Sequence, residues 1–439
     1  MKAMRLSCLT IGCLMAVSVL AQPSARQWNK EVTAGWNLGN QLECPPSGWN
    51  NESTNFGNPA NALQAETAWG NPIVTKQTLQ AVKEAGFNAV RIPVRWQCHI
   101  TDATTMTIDA QWMQRVKEVV DYALDCGMKV IINTHHDKWL ESRPTYIYKV
   151  NNNQKFGLLW TQIATAFQDY GYEVAFAGTN EVHIPNIWDA PTEENLNVQN
   201  SYNQTFIDAV RATGGNNLKR HLIVQTYNCN LNFGLNNGGF IVPTDVEGNG
   251  NNYMSVEVHY YTPWDYCGSN RYFYWGVPYK QYGETVSSND EQALTNDFQQ
   301  MSDTWGQQGL GIVIGEWGIT DHWTTTDKKE LIHENMSYYC KILISEARQR
   351  NFATFVWDNS VFGNGEEKFG IFDRHNDMAL TADWIVKGIL QGIATGITSP
   401  TADRSERQTA RPSKYIHQGK LYIKKDGHRY NFAGIRFEN

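Results

Sequence analysis

The feature that most limits what this chain can fold into is a repeated alternation. Eight short runs rich in apolar and β-branched residues recur between residues 33 and 359: "TAGWNLGN", "NAVRIPV", "KVIINTHH", "EVAFAGTNE", "HLIVQTY", "MSVEVHYY", "GIVIGEWG" and "FATFVWDN". They are apolar on both faces, as buried parallel strands are. Between most of them lie helix-period segments, over 74–86, 109–127, 156–171, 194–215, 289–309 and 327–351, several closing on Gly as a helix C-terminus prefers. Eight strands with helical crossovers predict an α/β chain folded as a (β/α)₈ barrel of the TIM type. A doubly wound open sheet is the rival. The barrel is favoured because eight units fill the length and nearly every run ends in a polar or aromatic residue: Asn40, Arg95, His135, Glu181, Tyr227, His259, Glu316 and Asp358. Barrels build their sites on that rim.

Other motifs bound the chemistry by omission. No G-x-G-x-x-G follows a strand, so no dinucleotide site is indicated, and neither a phosphate loop nor a G-x-S-x-G elbow occurs. The net charge is -7 and there is no long Lys/Arg run, which argues against nucleic acid and anionic membranes as partners. A neutral substrate fits better, and no metal or organic cofactor is implied.

The ends of the chain read differently from its middle. Lys2 and Arg5 precede an apolar stretch from Leu6 to Leu20, and "VLA" stands before Gln22. That is the pattern of a signal peptide over 1–21, and it predicts a secreted protein, extracellular, at the cell surface or in the periplasm. The apolar run is short for a spanning helix, so no membrane span is expected. Six cysteines lie beyond it (Cys44, Cys98, Cys126, Cys229, Cys267 and Cys340), without C-x-x-C spacing, and a zinc cage is not expected. A barrel domain is expected over 22–396, a polar linker over 397–412, and a small hairpin unit over 413–439 with turns at Gln418-Gly419 and Asp426-Gly427.

"FAGTNEVH", residues 176–183, starts apolar and ends with an amide, a carboxylate and an imidazole. A second strand run, "VIGEWG", ends in Glu316. In a barrel the two strand ends face one cavity, and a carboxylate pair is what glycoside hydrolysis needs. His135, His136, His259, Tyr261, Arg91 and Asn180 stand at or near the same ends. Arg91 beside a carboxylate would lower its pKa, while burial and a neighbouring carboxylate would raise the other's, leaving an acid and a base. A lone Glu at a strand end is more often a salt bridge or a cap; two of them, each beside an aromatic or an amide, shift the balance. "HHD" at 135–137 lacks a second ligand cluster and reads as hydrogen bonding rather than metal binding. Trp357 leaves the barrel in "VWDN", where it would stack on substrate. Trp69, Trp139, Trp264, Trp275 and Trp323 fall in loops after strands, and loop Trp above a barrel rim suggests a sugar-binding cleft.

With these motifs in order, the chain resembles glycoside hydrolase family 5, in its endoglucanase/xyloglucanase branch. The marks are "GWNLGN" at 35–40, "ETAWGNP" at 66–72, "AGFNAVRIPVRW" at 85–96, "VIINTHHD" at 130–137, "TNE" at 179–181, "VHYY" at 258–261, "GEWG" at 315–318 and "FVWDN" at 355–359. The resemblance implies a secreted retaining hydrolase of internal β-1,4-glucosidic bonds, acting on cellulose-like or mixed-linkage glucan of the plant cell wall. It implies Glu181 as acid/base and Glu316 as nucleophile. Asn180 would hold the 2-hydroxyl, Arg91 and Tyr261 would orient and ionise Glu316, His259 would contact Glu181 or the leaving sugar, and His135, with His136, would bind hydroxyls. Trp357 would stack beneath the sugar at the cleavage point, with Trp36 and Trp264 also on substrate. The family usually reads Asn-Glu-Pro, and here Val182 stands in place of Pro. A mannan or xyloglucan preference is the alternative within the class. A non-catalytic glycan-binding barrel is the alternative outside it, and the presence of both Glu argues against that. A monomer is expected. The C-terminal segment resembles the sorting tails of secreted Bacteroidetes proteins.

Overall fold

Side chains on a strand alternate between its two faces, so each barrel strand supplies an inner and an outer set. The computed structural model describes residues 22–46, 57, 59–235, 238–269, 271–287, 289–322, 328–363 and 365–398, and strands at 413–417, 420–425, 428–431 and 436–437. The expected signal peptide, most of the linker, Trp323 and both C-terminal turns lie outside the described residues. Eight parallel strands close a barrel: β1 (Gly35–Leu38), β2 (Ala89–Ile92), β3 (Lys129–Asn133), β4 (Val174–Ala177), β5 (Leu222–Gln225), β6 (Met254–His259), β7 (Gly311–Trp317) and β8 (Ala353–Asp358). Each pairs with its neighbours in chain order, and β8 closes on β1 with Gly35 opposite Phe355. All eight expected runs are these strands.

The inner set divides by height. Low in the barrel, Ala89, Ile131, Ala175, Ile223, Val313, Ala353 and Phe355 form one apolar cluster with Trp28 and Val32. Trp28 and Asn29 come from a short helix, Ala25–Glu31, whose N-cap is Ser24. Asn29 donates to Ser255 Oγ and to the Ile312 carbonyl, both at 3.1 Å, which ties that helix to the strands. Higher up, the same inward positions carry Asn37, Arg91, Asn133 and Glu257, all fully buried. The outer set (Val90, Ile92, Val130, Ile132, Val256, Val258, Ile312 and Ile314) packs in the larger core beneath the helices.

The longer described helices are α1 (Lys76–Glu84), α2 (Ala110–Asp125), α3 (Tyr146–Ala166), α4 (Glu193–Ala212), α5 (Glu291–Thr304), α6 (Lys329–Gln349) and α7 (Asp383–Thr398). Side-chain caps start several of them: Asp109 for α2, Thr192 with Asn195 for α4, Asp290 for α5. Two differ from expectation. α3 begins at Tyr146, well before the expected Phe156, because its first turns carry exposed Ile147 and Val150 and show no apolar stripe. α7 was not expected as a helix, since Gly and β-branched residues fill it. It holds by close packing on α6: at Gly388 a side chain would overlap the Ser337 carbonyl. Between β5 and β6 the long crossover helix is replaced by a short one, Leu231–Leu235. No described helix is long and apolar enough to cross a membrane.

The chain divides into two compact units, ending and beginning at Gly396 and Ile397. The second contains a four-stranded antiparallel meander, Ser413–His417, Lys420–Lys425, His428–Asn431 and Arg436–Phe437.

Candidate active site

One irregularity in β7 sets the site. Val258 pairs with Ile314, but His259 pairs with Glu316, so β7 carries one extra residue. Such a bulge re-aims the side chains beyond it. The residue absorbed is Gly315, and a Cβ there would overlap the Glu257 carboxylate. Glu316 thereby reaches the barrel mouth, almost fully buried.

Arg91 is the hub beneath it. Its guanidinium is fully buried and touches four groups: Glu257 Oε1 from Nε at 3.0 Å, Glu316 Oε1 and Asn37 Oδ1 from Nη1 at 3.0 and 3.1 Å, and Asn180 Oδ1 from Nη2 at 2.8 Å. A planar fork with fixed donors suits this many partners as a lysine could not. Glu257 also accepts from Gln225 Nε2 at 2.6 Å. Burial alone would raise Glu257, but Arg91 and His259 outweigh it and hold it below the usual carboxylate range. Tyr261 Oη donates to Glu316 Oε2 at 3.1 Å.

Glu181 follows β4 and remains partly open to solvent, with its side chain about one-third exposed. His259 Nδ1 lies 2.6 Å from Glu181 Oε1 and 3.6 Å from Glu316 Oε2, and its Nε2 lies 3.5 Å from Glu257. Burial would lower His259; Cys229 and the facing carboxylates Glu316 and Glu181 raise it well above its ordinary value. Cys229, pushed to about 12 by burial, is an uncharged thiol at neutral pH, so the carboxylates supply that field. Glu181 is correspondingly lowered: burial raises it, and the hydrogen bond and charge of His259 win. Glu316 moves up, driven by burial with Glu181 and Glu257 adding, against the pull of His259 and Arg91. These directions reverse the expectation from sequence. Arg91 is shared between two carboxylates, whereas the imidazolium sits directly on Glu181.

Glu181, His259 and Glu316 each bring a ligating atom within 4.8 Å of the other two, the one such trio among the described residues. An imidazolium, though, has no lone pair to offer a cation, so the trio as it stands is a proton-sharing set.

Rings frame the mouth. Trp69 meets His136 edge-on at 5.9 Å, His136 meets His135 at 4.4 Å, and His135 stacks parallel to Trp357 at 5.9 Å. His135 receives Asn133 Nδ2 at its Nδ1 (3.1 Å) and is kept neutral by burial and the neighbouring His136 and Arg91. His136, in a left-handed backbone conformation, donates its N–H to Glu141. On another side Trp264 lies edge-on to Tyr261 at 6.2 Å. Trp69 is 41% and Trp264 46% exposed.

The structure thus brings together Glu181, Glu316, Arg91, Asn180, His259, Tyr261, His135, His136, Trp357 and Trp264. It does not bring Trp36 with them. Strand parity puts Asn37 inward and Trp36 outward, where it is fully buried and donates to Asp358 Oδ2 at 2.9 Å. Its faces are therefore closed to a ligand, and the expectation of substrate contact is corrected. Trp139 and Trp275 are likewise buried. Sequence reading missed Glu257 and Asn37, although "SVEVH" places Ser255, Glu257 and His259 on one face of an otherwise apolar strand. It also missed Trp188, 72% exposed and stacked on His183 at 5.2 Å. The six cysteines are all free thiols.

Comparison with known proteins agrees with this geometry. Residues 53–363 match the model of the family described as Cellulase (glycosyl hydrolase family 5). Endoglucanase A of Paenibacillus barcinonensis is 34% identical over 385 residues, covering 84% of this chain and 90% of that protein. A xyloglucan-specific endo-beta-1,4-glucanase of Bacteroides ovatus is 32% identical over 377 residues, covering 83% of this chain and 70% of that one. Among solved structures, a xyloglucan-specific beta-1,4-glucanase from a ruminal metagenomic library, in complex with XXLG, superposes with a TM-score of 0.75 at 30% identity, over 85% of this chain and 97% of the other.

Proposed function

The chain belongs to glycosyl hydrolase family 5 and is an endoglucanase-type glycoside hydrolase, and on that premise we propose that it cleaves internal β-1,4-glucosidic bonds by double displacement, with Glu316 as nucleophile and Glu181 as acid/base. The observation that carries this is the trio of Glu181, His259 and Glu316 with ligating atoms within 4.8 Å of one another. At least one oxygen of Glu181 therefore lies within 4.8 Å of one of Glu316, an approach that suits the close carboxyl pair of a retaining enzyme, about 5–5.5 Å apart, better than the roughly 6.5 Å or more that an inverting one leaves for a water. In the first step a Glu316 oxygen bonds to the anomeric carbon and the bond to the leaving oxygen breaks. The leaving oxygen takes a proton from Glu181, drawn from the 2.6 Å bond that Glu181 shares with His259. In the second step water attacks the anomeric carbon, Glu181 receives its proton, and Glu316 leaves as carboxylate. Loss of Glu316's charge in the intermediate favours the switch of Glu181 from acid to base. Asn180, held by Arg91, is positioned for the 2-hydroxyl, and Trp357 beside His135 for the sugar ring.

The substrate we propose is an unsubstituted or mixed-linkage β-1,4-glucan outside the cell. Xyloglucan is the second reading, supported by the names of the Bacteroides ovatus and ruminal relatives. Purified protein and Glu316→Gln would be compared on carboxymethyl cellulose, mixed-linkage glucan, xyloglucan and glucomannan by reducing-end release, with the first-formed anomer read by NMR. Release on glucans as the β-anomer, abolished in the variant, is expected. First-formed α-anomer would reject double displacement, and release confined to glucomannan would reject the glucan assignment.

A further inference from the structure

The loop that carries Glu181 is gripped from one side by three consecutive residues. Tyr227 Oη accepts the Ile184 N–H at 3.0 Å, Asn228 N–H donates to the Val182 carbonyl at 3.0 Å, and Cys229 Sγ donates to the Asn180 carbonyl at 3.3 Å. Residues 227, 228 and 229 thus meet 184, 182 and 180 in turn, one rung for every second residue of the loop. The fit has a backbone cost, since Asn228 and Cys229 both hold positive φ, at 54° and 46°. For Cys229 this is a strained conformation, kept only where surroundings over-determine it. The Val182 N–H adds a second donor to the same Asn180 carbonyl at 3.2 Å. Cys229 is fully buried and also faces His259, the partner of Glu181.

We propose that Cys229 is a positioning residue for proton transfer: its thiol, held between the Asn180 carbonyl and His259, fixes the backbone on which Glu181 delivers its proton. Cys229 itself touches no substrate. The inference rests on the reading of Glu181 as acid/base.

The test exploits the leaving group. An aryl cellobioside with a strongly acidic phenol departs without protonation, whereas a glucan's sugar hydroxyl does not. General acid catalysis is worth roughly 10²–10⁴-fold, and loosening the acid should forfeit about tenfold of it. Cys229→Ala is expected to lower kcat on glucan about tenfold, with KM little changed and kcat/KM on the activated aryl substrate within about twofold of the parent. Cys229→Ser, which restores a donor to the Asn180 carbonyl, should recover most of the loss. An equal loss on both substrates, or none on either, overturns the proposal. Were Cys229→Ala to fold poorly, Cys229→Ser against Cys229→Gly, which accepts the positive φ, at matched thermal stability would carry the same comparison. Glu181→Ala run in parallel separates the two failures. If it too shows no leaving-group dependence, the acid/base reading fails; if it alone shows it, only the positioning role does.

Discussion

Glu257→Gln probes the buried charge beneath the site. The substitution keeps shape and removes one negative charge. Glu257 sits 3.0 Å from Arg91 Nε, a separation worth about 5.5 kcal/mol of attraction at an effective dielectric constant near 20. The amide cannot recover this by hydrogen bonding. Gln225 Nε2 donates to Glu257, and Gln225 cannot flip, because its Oε1 already accepts the Thr179 N–H at 2.8 Å and Thr179 Oγ1 at 3.0 Å. A glutamine at 257 must therefore turn its NH₂ toward either Arg91 or Gln225, donor against donor. Breaking one side of a buried pair costs about 3–5 kcal/mol. At about 2.1 cal/mol/K per residue over the barrel unit, that is a Tm loss of about 4–6 °C. The pH dependence carries a sign. Glu257 is lowered in the fold, so its stabilisation is present above its ordinary value of 4.5 and is lost as pH falls through the folded value. The gap between parent and variant should be widest near neutral pH and close on acidification. Calorimetry from pH 7 down through pH 4 to about pH 2 measures it, because the gap starts to close only below the ordinary value. A loss under about 1 °C, or a gap constant with pH, would refute the account of Arg91 as a cation held by two carboxylates.

Trp36→Phe removes a buried donor to Asp358 from a side chain with no open face; it should cost about 1.5–3 kcal/mol in urea unfolding and leave KM on glucan unchanged. A severalfold rise in KM at unchanged stability would return Trp36 to the substrate. His259 is raised in the fold, so its stabilisation is complete below about pH 6.5 and is lost as pH rises through the folded value. His259→Asn should therefore flatten the decline of Tm between pH 6 and pH 9, and an unaltered slope would count against the imidazolium.

The barrel was legible because buried parallel strands show as apolar runs whatever encloses them, and because each run ends in a polar residue at the mouth. Glu181 and Glu316 were legible as a pair: one carboxylate where a strand leaves the core reads as a salt bridge or a cap, but two such strand ends in a barrel face one cavity. Glu257 was hidden inside such a run, where only its parity with Ser255 and His259 betrays it. Parity also decides Trp36, since an outward neighbour of Asn37 belongs to the helix layer. α7 escaped notice because its Gly and Ile content describes contact with α6 rather than any local helical preference. The directions of the carboxylate shifts were not legible either, since they depend on which cation ends up against which oxygen. The chain order gives no hint that Arg91 is divided evenly between Glu257 and Glu316 while the one short contact of His259 goes to Glu181.

The closure of β1 on β8 has a consequence in time. The Trp36–Asp358 bond joins residues 322 positions apart. The short helix Ala25–Glu31, near the start of the described chain, rests on Ser255 and Ile312, also far downstream. The first barrel strand and this helix thus wait for partners made far downstream, so the barrel cannot close before β8 has left the ribosome. Contacts of such sequence separation form slowly. A nascent chain of this design stays open and unfinished until most of its length is complete, the condition in which an extended polypeptide can still be threaded across a membrane before it folds.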